Sequence, residues 1–354
     1  ASAMTPRVSQ PSVDALWWAT GQLQACQNPV QDGNLGDCFS GQYRGFNVGP
    51  FTDGVNVYAG YTALKAYGGQ VCSLSGLAQS GCQAFGNEWL FSQSLAAYGG
   101  NIYSGALGIS GTNDIHSCPV SALTNITAAS FTIPSACSLL DTTPKDEKPV
   151  VMLAVPDHLY IGLKPTKTKR SLAGLIWSCP LTVANACSTL DNSGQASDFS
   201  YPASPQSFAY GAGYLWVGLT SGILWRCDPD TANACTNWAE LPSGISSLSL
   251  DGAGNIYAVA GSIYECPVAT QTSGACPKVV SGSFGTGAVS SQNGVQIAAN
   301  ENGVFGNQVC STGGVYYGSN EFANSSNMCG GNLLFVPAGG IPGTGTVQVS
   351  GPRL

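Results

Sequence analysis

The residues able to do chemistry are few and unevenly placed: fourteen cysteines, two histidines, and 12 basic against 19 acidic residues in a chain of 354. The cysteines fall into near pairs, Cys26 with Cys38, Cys72 with Cys82, Cys118 with Cys137, Cys179 with Cys187, Cys227 with Cys235, Cys266 with Cys276, and Cys310 with Cys329. An even, paired set predicts disulfides, which persist in secreted and cell-surface proteins and are rare in a reducing cytosol. A zinc site needs Cys or His at close spacing. The chain has no C-x-x-C, and His116 and His158 lie 42 residues apart, so neither a metal nor a cofactor is expected.

The search for catalytic groups returns no catalytic residue. The chain lacks G-x-S-x-G, H-E-x-x-H, a Walker loop and a dinucleotide-binding G-x-G-x-x-G. His116 falls in a column that holds Trp177, Trp225 and Tyr264 elsewhere, which makes it a packing ring. His158 follows Asp157 at a turn, with nothing in sequence to mark a nucleophile beside it. Asp146 and Glu147 alternate with Lys145 and Lys148, the pattern of a solvated loop that neutralises itself. Asp228 and Asp230 flank Pro229, and Asp53 and Asp251 share a repeated turn position, so turn geometry accounts for all four.

Three sets of residues are candidates for binding or modification. The insertion from Lys164 to Arg170 carries Lys164, Lys167, Lys169 and Arg170, a contact suited to an acidic glycan or an acidic neighbour. Trp17, Trp18, Tyr61 and Tyr67 are candidate stacking platforms for sugar rings. Asn125 and Asn324 stand in N-x-S/T sequons and are candidate glycosylation sites.

The elements that must position these residues repeat along the chain. First cysteines of successive pairs are separated by 46, 46, 61, 48, 39 and 44 residues, close to the length of a four-stranded propeller blade. Ahead of each pair stands a short apolar or aromatic segment such as Val57-Tyr58-Ala59, Ile102-Tyr103-Ser104, Leu159-Tyr160-Ile161 or Leu215-Trp216-Val217. An alternating segment then leads into the cysteine, as in Ile176-Trp177-Ser178-Cys179 and Leu224-Trp225-Arg226-Cys227, a strand pattern. Within the clearest unit the sequence predicts strands at 245–250, 255–260, 262–266 and 276–280.

Asp251-Gly252-Ala253-Gly254-Asn255-Ile256-Tyr257 resembles the signature of NHL-type β-propeller repeats, with degraded versions at Asp53 to Tyr58 and Gly99 to Tyr103. The resemblance implies a propeller and leaves ligand and reaction open. The expected fold is all-β: a seven-bladed propeller of four-stranded antiparallel blades with one disulfide in each. Residues 1–14 would form an N-terminal arm, 15–336 the propeller and 337–354 a Gly/Pro-rich tail. A strand at 345–350 would close the ring by completing the first blade, Arg7 to Gln10 being the alternative.

Composition narrows the function. With a net charge of −7 and 12 basic residues the chain offers no footprint for nucleic acid. It has no apolar run long enough to insert in a membrane, and it reads as a mature extracellular form after signal-peptide removal. Charged residues make up only 9 % of it, too few to keep copies apart by repulsion. The leading expectation is a non-enzymatic structural or adhesive glycoprotein that forms a homo-oligomer or filament, or binds glycans and matrix polymers. A lectin-like propeller is the second reading, and a glycan-acting hydrolase or lyase the third.

Overall fold

The structure is a computed structural model. It describes residues 15–19, 22–27, 38–44, 46–52, 55–61, 69–73, 82–85, 94–105, 114–123, 135–144, 147–165, 176–191, 203–250, 255–267, 276–284, 297–300, 303–307, 315–317, 320–323, 332–336 and 348–350, with side chains described only within 52–279. The strands begin with β1 (Ala15–Ala19), β2 (Gln22–Gln27) and β3 (Cys38–Arg44). Next come β4 (Phe46–Thr52), β5 (Asn56–Tyr61), β6 (Gly69–Ser73) and β7 (Cys82–Phe85), then β8 (Leu95–Tyr98), β9 (Asn101–Gly105), β10 (Asp114–Pro119) and β11 (Ser138–Thr142). A four-residue helix, α1 (Val120–Leu123), follows β10. The chain continues through β12 (Glu147–Val155), β13 (His158–Pro165), β14 (Ile176–Pro180), β15 (Ser188–Asp191), β16 (Pro205–Gly211), β17 (Tyr214–Leu219), β18 (Ile223–Cys227) and β19 (Cys235–Glu240). It ends with β20 (Ser247–Leu250), β21 (Ile256–Cys266), β22 (Lys278–Phe284), β23 (Ile297–Asn300), β24 (Gly303–Asn307), β25 (Val315–Tyr317), β26 (Asn320–Ala323), β27 (Asn332–Val336) and β28 (Gln348–Ser350).

These strands make a β-propeller, and its blades correct the expected count. Among the described residues there are five four-stranded antiparallel blades, not seven: β27-β1-β2-β3, β4 to β7, β8 to β11, β12 to β15, and β23 to β26. The remaining strands form a five-stranded sheet, β28-β16-β17-β18-β19, and a three-stranded one, β20-β21-β22. The three-stranded sheet arises where two separate strands were expected at 255–260 and 262–266. Gly261, at φ +79°, divides the single run β21, so residues before it pair with β20 and residues after it with β22. Disulfides number five among the described residues: Cys72–Cys82, Cys118–Cys137, Cys179–Cys187, Cys227–Cys235 and Cys266–Cys276. Cys26 and Cys38 stand opposite each other in the register of β2 and β3, their side chains outside the described residues, as are Cys310 and Cys329 altogether.

Ring closure is also corrected. The segment that completes the first blade is β27, antiparallel to β1 from Ala15 opposite Val336 to Ala19 opposite Asn332. The expected closing segment instead contributes β28, which pairs with β16. Either segment reads as a strand, and the five pairs that β27 makes exceed the three that β28 makes.

Packing follows from the repeated aromatic in the second strand of each unit. Tyr58, Tyr103, Tyr160, Trp216 and Tyr257 are all buried, as are the apolar residues beside them, because these five strands lie in sheets covered by their neighbours. Tyr160 shares one core cluster with Phe208, Leu215, Val217 and Trp225 of the next sheet, while Trp216 shares another with Leu248, Leu250, Ile256 and Tyr264. Inner strands approach closely where a side chain is missing. A Cβ on Gly162 would sit 2.5 Å from Val151 Cγ1 and 2.7 Å from Pro205 Cβ, and one on Gly105 would sit 2.7 Å from Pro149 Cβ.

Candidate functional site: a basic edge at the end of one hairpin

The hairpin of β12 and β13 gathers the positive charge of an acidic chain. Its register sets Glu147 opposite Pro165 and Lys148 opposite Lys164, at the end far from the Val155–His158 turn. Six of the twelve basic residues, Lys145, Lys148, Lys164, Lys167, Lys169 and Arg170, lie within 145–170. Lys164 is exposed and Lys148 half-buried. Lys145, Lys167, Lys169 and Arg170 lie outside the described residues.

Two local contacts hold the entry to β12. Glu147 N donates to Pro144 O at 2.9 Å, and the buried Thr143 hydroxyl donates to Glu147 O at 3.0 Å. Glu147 is therefore part of the strand, 1 % exposed, which corrects the expectation of a solvated loop. Strand alternation turns its side chain to the face opposite Lys148, so the carboxylate does not simply cancel the lysine. Burial lowers the Lys148 pKa, and the Lys164 ammonium across the strand lowers it further. Like charges placed directly opposite on a sheet destabilise it.

The two histidines have different surroundings. His116 is 4 % exposed, in register with Ser104 on one side and Leu139 on the other, the position taken by Trp177 and Trp225 in other units. This is the packing role expected of it, and burial lowers its pKa against a smaller opposing pull from Asp114. His158 does have a hydroxyl beside it: Nδ1 and Ser178 Oγ are 3.1 Å apart, and the ring stacks on Tyr160 with centroids 6.1 Å apart. Among the described residues no carboxylate hydrogen-bonds this ring, and the preceding Asp157 is exposed at φ +68°. A serine–histidine contact without an orienting acid lacks the arrangement of an activated nucleophile. Tyr160 in turn stacks on Tyr210 of the next sheet, and its pKa is raised by burial and then by Tyr210 and Asp230.

The equivalent column in the five-stranded sheet holds Arg226 instead of Ser178. Its guanidinium lies 4.7 Å from the Tyr214 ring centroid and 4.5 Å from that of Trp238, so this cation is held between two rings.

A repeated contact between neighbouring sheets has no counterpart in the expectations. Asp141 Oδ2 accepts from Cys187 N at 3.0 Å, and Asp191 Oδ2 from Cys235 N at 3.1 Å. Beside them Asn185 N donates to Leu140 O and Asn233 N to Leu190 O, both at 2.7 Å, with φ of +55° and +56°. Each eight-residue disulfide loop thus grips the outer strand of the preceding blade. The signal in sequence is the recurrence of Leu-Asp, at 140–141 and 190–191, followed about 44 residues later by Ala-Asn-Ala-Cys, at 184–187 and 232–235.

The remaining candidates are not brought to the basic edge. Trp17 and Trp18 lie in β1, paired by backbone to both β2 and β27, and Tyr61 ends β5; their side chains are outside the described residues. Tyr67, Asn125 and Asn324 lie outside them as well. Among the described residues no group of three His, Cys, Asp or Glu could hold a metal ion, and no helix is long and apolar enough to cross a membrane.

No protein-family model matches the chain. No curated protein matches it in sequence. Solved structures do match in fold. Apo AztD from Citrobacter koseri is 12 % identical, with 93 % of this chain and 98 % of that one covered and a TM-score of 0.53. The computationally designed Ika8 protein is 13 % identical, with 97 % and 98 % covered and a TM-score of 0.50. At these identities the likeness concerns the fold alone.

Proposed function

We propose that the protein is a non-enzymatic extracellular adhesive propeller that holds acidic matrix polysaccharides at the end of the β12–β13 hairpin. The observation that carries this reading is the Lys148–Lys164 pair, two cations set opposite each other at a cost to the sheet. Half of the chain's basic residues share that segment, so the local field is positive on a molecule that is negative overall. The stapled loops fit an oxidising compartment. N-glycans on Asn125 and Asn324 belong to the same reading.

The test is retention of the full, non-reduced chain on immobilised sulfated or uronate-rich polysaccharide. Wild type should be retained at low salt and released as salt screens the contact. Replacing both lysines, Lys148→Gln and Lys164→Gln, should weaken affinity about tenfold, equal to about 1.4 kcal/mol, with the fold kept. Equal retention of variant and wild type, or equal retention on a neutral polysaccharide, sinks the proposal.

A further inference from the structure

The channel-side edge of β16 differs from the corresponding edges of the other inner strands. Among the described residues, strands β4, β8, β12, β20, β23 and β27 each end their sheets on the side facing the centre, with a single strand partner. On β16 that edge is occupied. Ser350, Val349 and Gln348 lie antiparallel to Ser207, Phe208 and Ala209. The added strand also lies near β12, β20 and β4, inside the ring of inner strands.

We propose that the inner edge of β16 is a strand-acceptor site, and that in the assembled state residues 348–350 of a second copy of this chain fill it. This goes beyond the polysaccharide reading and does not depend on it. An open strand edge is a template for another chain, and here the matching strand has a defined register on β16. Backbone hydrogen bonds of the same register form whether the strand comes from the same copy or another. The choice between copies therefore rests on effective concentration, not on new contacts.

Three features favour exchange. Only three residue pairs hold β28, and a pairing so short has little stability of its own. Eleven residues, 337–347, separate it from β27, four of them glycine and two proline; an extended segment of that length spans up to about 36 Å. The surface carries little repulsive charge, since only 9 % of residues are charged. Exchange of this kind joins unlike surfaces, so repetition builds a closed ring or an open filament.

The experiment follows particle mass by light scattering for the full, non-reduced chain without any sugar, from about 1 µM to about 1 mM, the effective concentration a short flexible linker confers. Mass should rise with concentration for wild type. Val349→Pro, which removes a backbone donor from β28, should stay monomeric and should bind an added peptide of residues 345–354 one to one. Excess peptide should also dissolve wild-type particles, which keeps the test decisive if the variant fails to form its disulfides. Monomeric wild type throughout the range, a variant that assembles like wild type, or particles indifferent to the peptide would each overturn the proposal. Lys148 and Lys164 are untouched, so this idea and the polysaccharide reading can fail separately.

Discussion

His116 shows how a single ring couples this fold to pH. Its pKa is lowered in the folded chain from the ordinary 6.5, so the unfolded chain binds the extra proton first. Its stabilising contribution is whole above about pH 6.5 and is lost as pH falls from there through the folded-state pKa. Replacing it with the ring its column prefers, His116→Phe, should flatten the decline in stability between pH 6.5 and 5, as urea midpoints at several pH values would show; an unchanged slope would mean that other groups cause it. Asn233 makes a different point at the same scale. At φ +56° it occupies a conformation that glycine tolerates and most side chains do not. Asn233→Gly should cost only a few tenths of a kcal/mol, whereas Asn233→Val should cost about 1–3 kcal/mol through backbone strain. Equal midpoints for the two variants would remove the conformational argument.

At the scale of elements, the disulfide loops between β14 and β15 and between β18 and β19 act twice. Each staples its own outer strands, and each docks through an asparagine and a cysteine amide onto the outer strand of the preceding blade. An eight-residue closure contributes about 2–3 kcal/mol by limiting the unfolded chain. The Asp191 carboxylate adds a charge-assisted bond to Cys235 N, in the range of about 1.5–3 kcal/mol when its acceptor is removed. If the staple holds the loop ready for that bond, the two effects are not independent. Removing Cys227 and Cys235 as serines, removing Asp191 as alanine, and combining the changes should therefore give a double-mutant cycle with a coupling of about 0.5 kcal/mol or more. Additive losses would show that the staple and the clamp work separately.

For the molecule as a whole, what could be read from sequence was what is local. Alternating apolar and aromatic residues at Leu159-Tyr160-Ile161 and Leu215-Trp216-Val217, and cysteines at blade-length spacing, carry their own strand and staple signals. Pairings between distant segments carry none. Lys148 looked neutralised by its sequence neighbours until the register set it against Lys164, sixteen positions away. The run across Gly261 looked like two strands and pairs as one divided element. Residues 332–336 and 345–350 are both strand-like, and only the assembled ring shows that the first closes it while part of the second enters the channel. That division of labour has a measurable consequence. Leu334 lies at the middle of β27, opposite Trp17 of β1, so a proline there breaks the seam joining the two ends of the ring. Val349 lies in a three-residue strand that no other strand of the ring depends on for its place in a sheet. Leu334→Pro should lower the free energy of unfolding by about 3 kcal/mol or more, the order of a proline set where the backbone must pair, and Val349→Pro by about 1 kcal/mol, that of a net hydrogen bond. Denaturant midpoints measured at micromolar concentration, where exchange between copies is suppressed, separate the two. If Val349→Pro proved the more damaging, the channel strand and not β27 would be the element that holds the propeller closed.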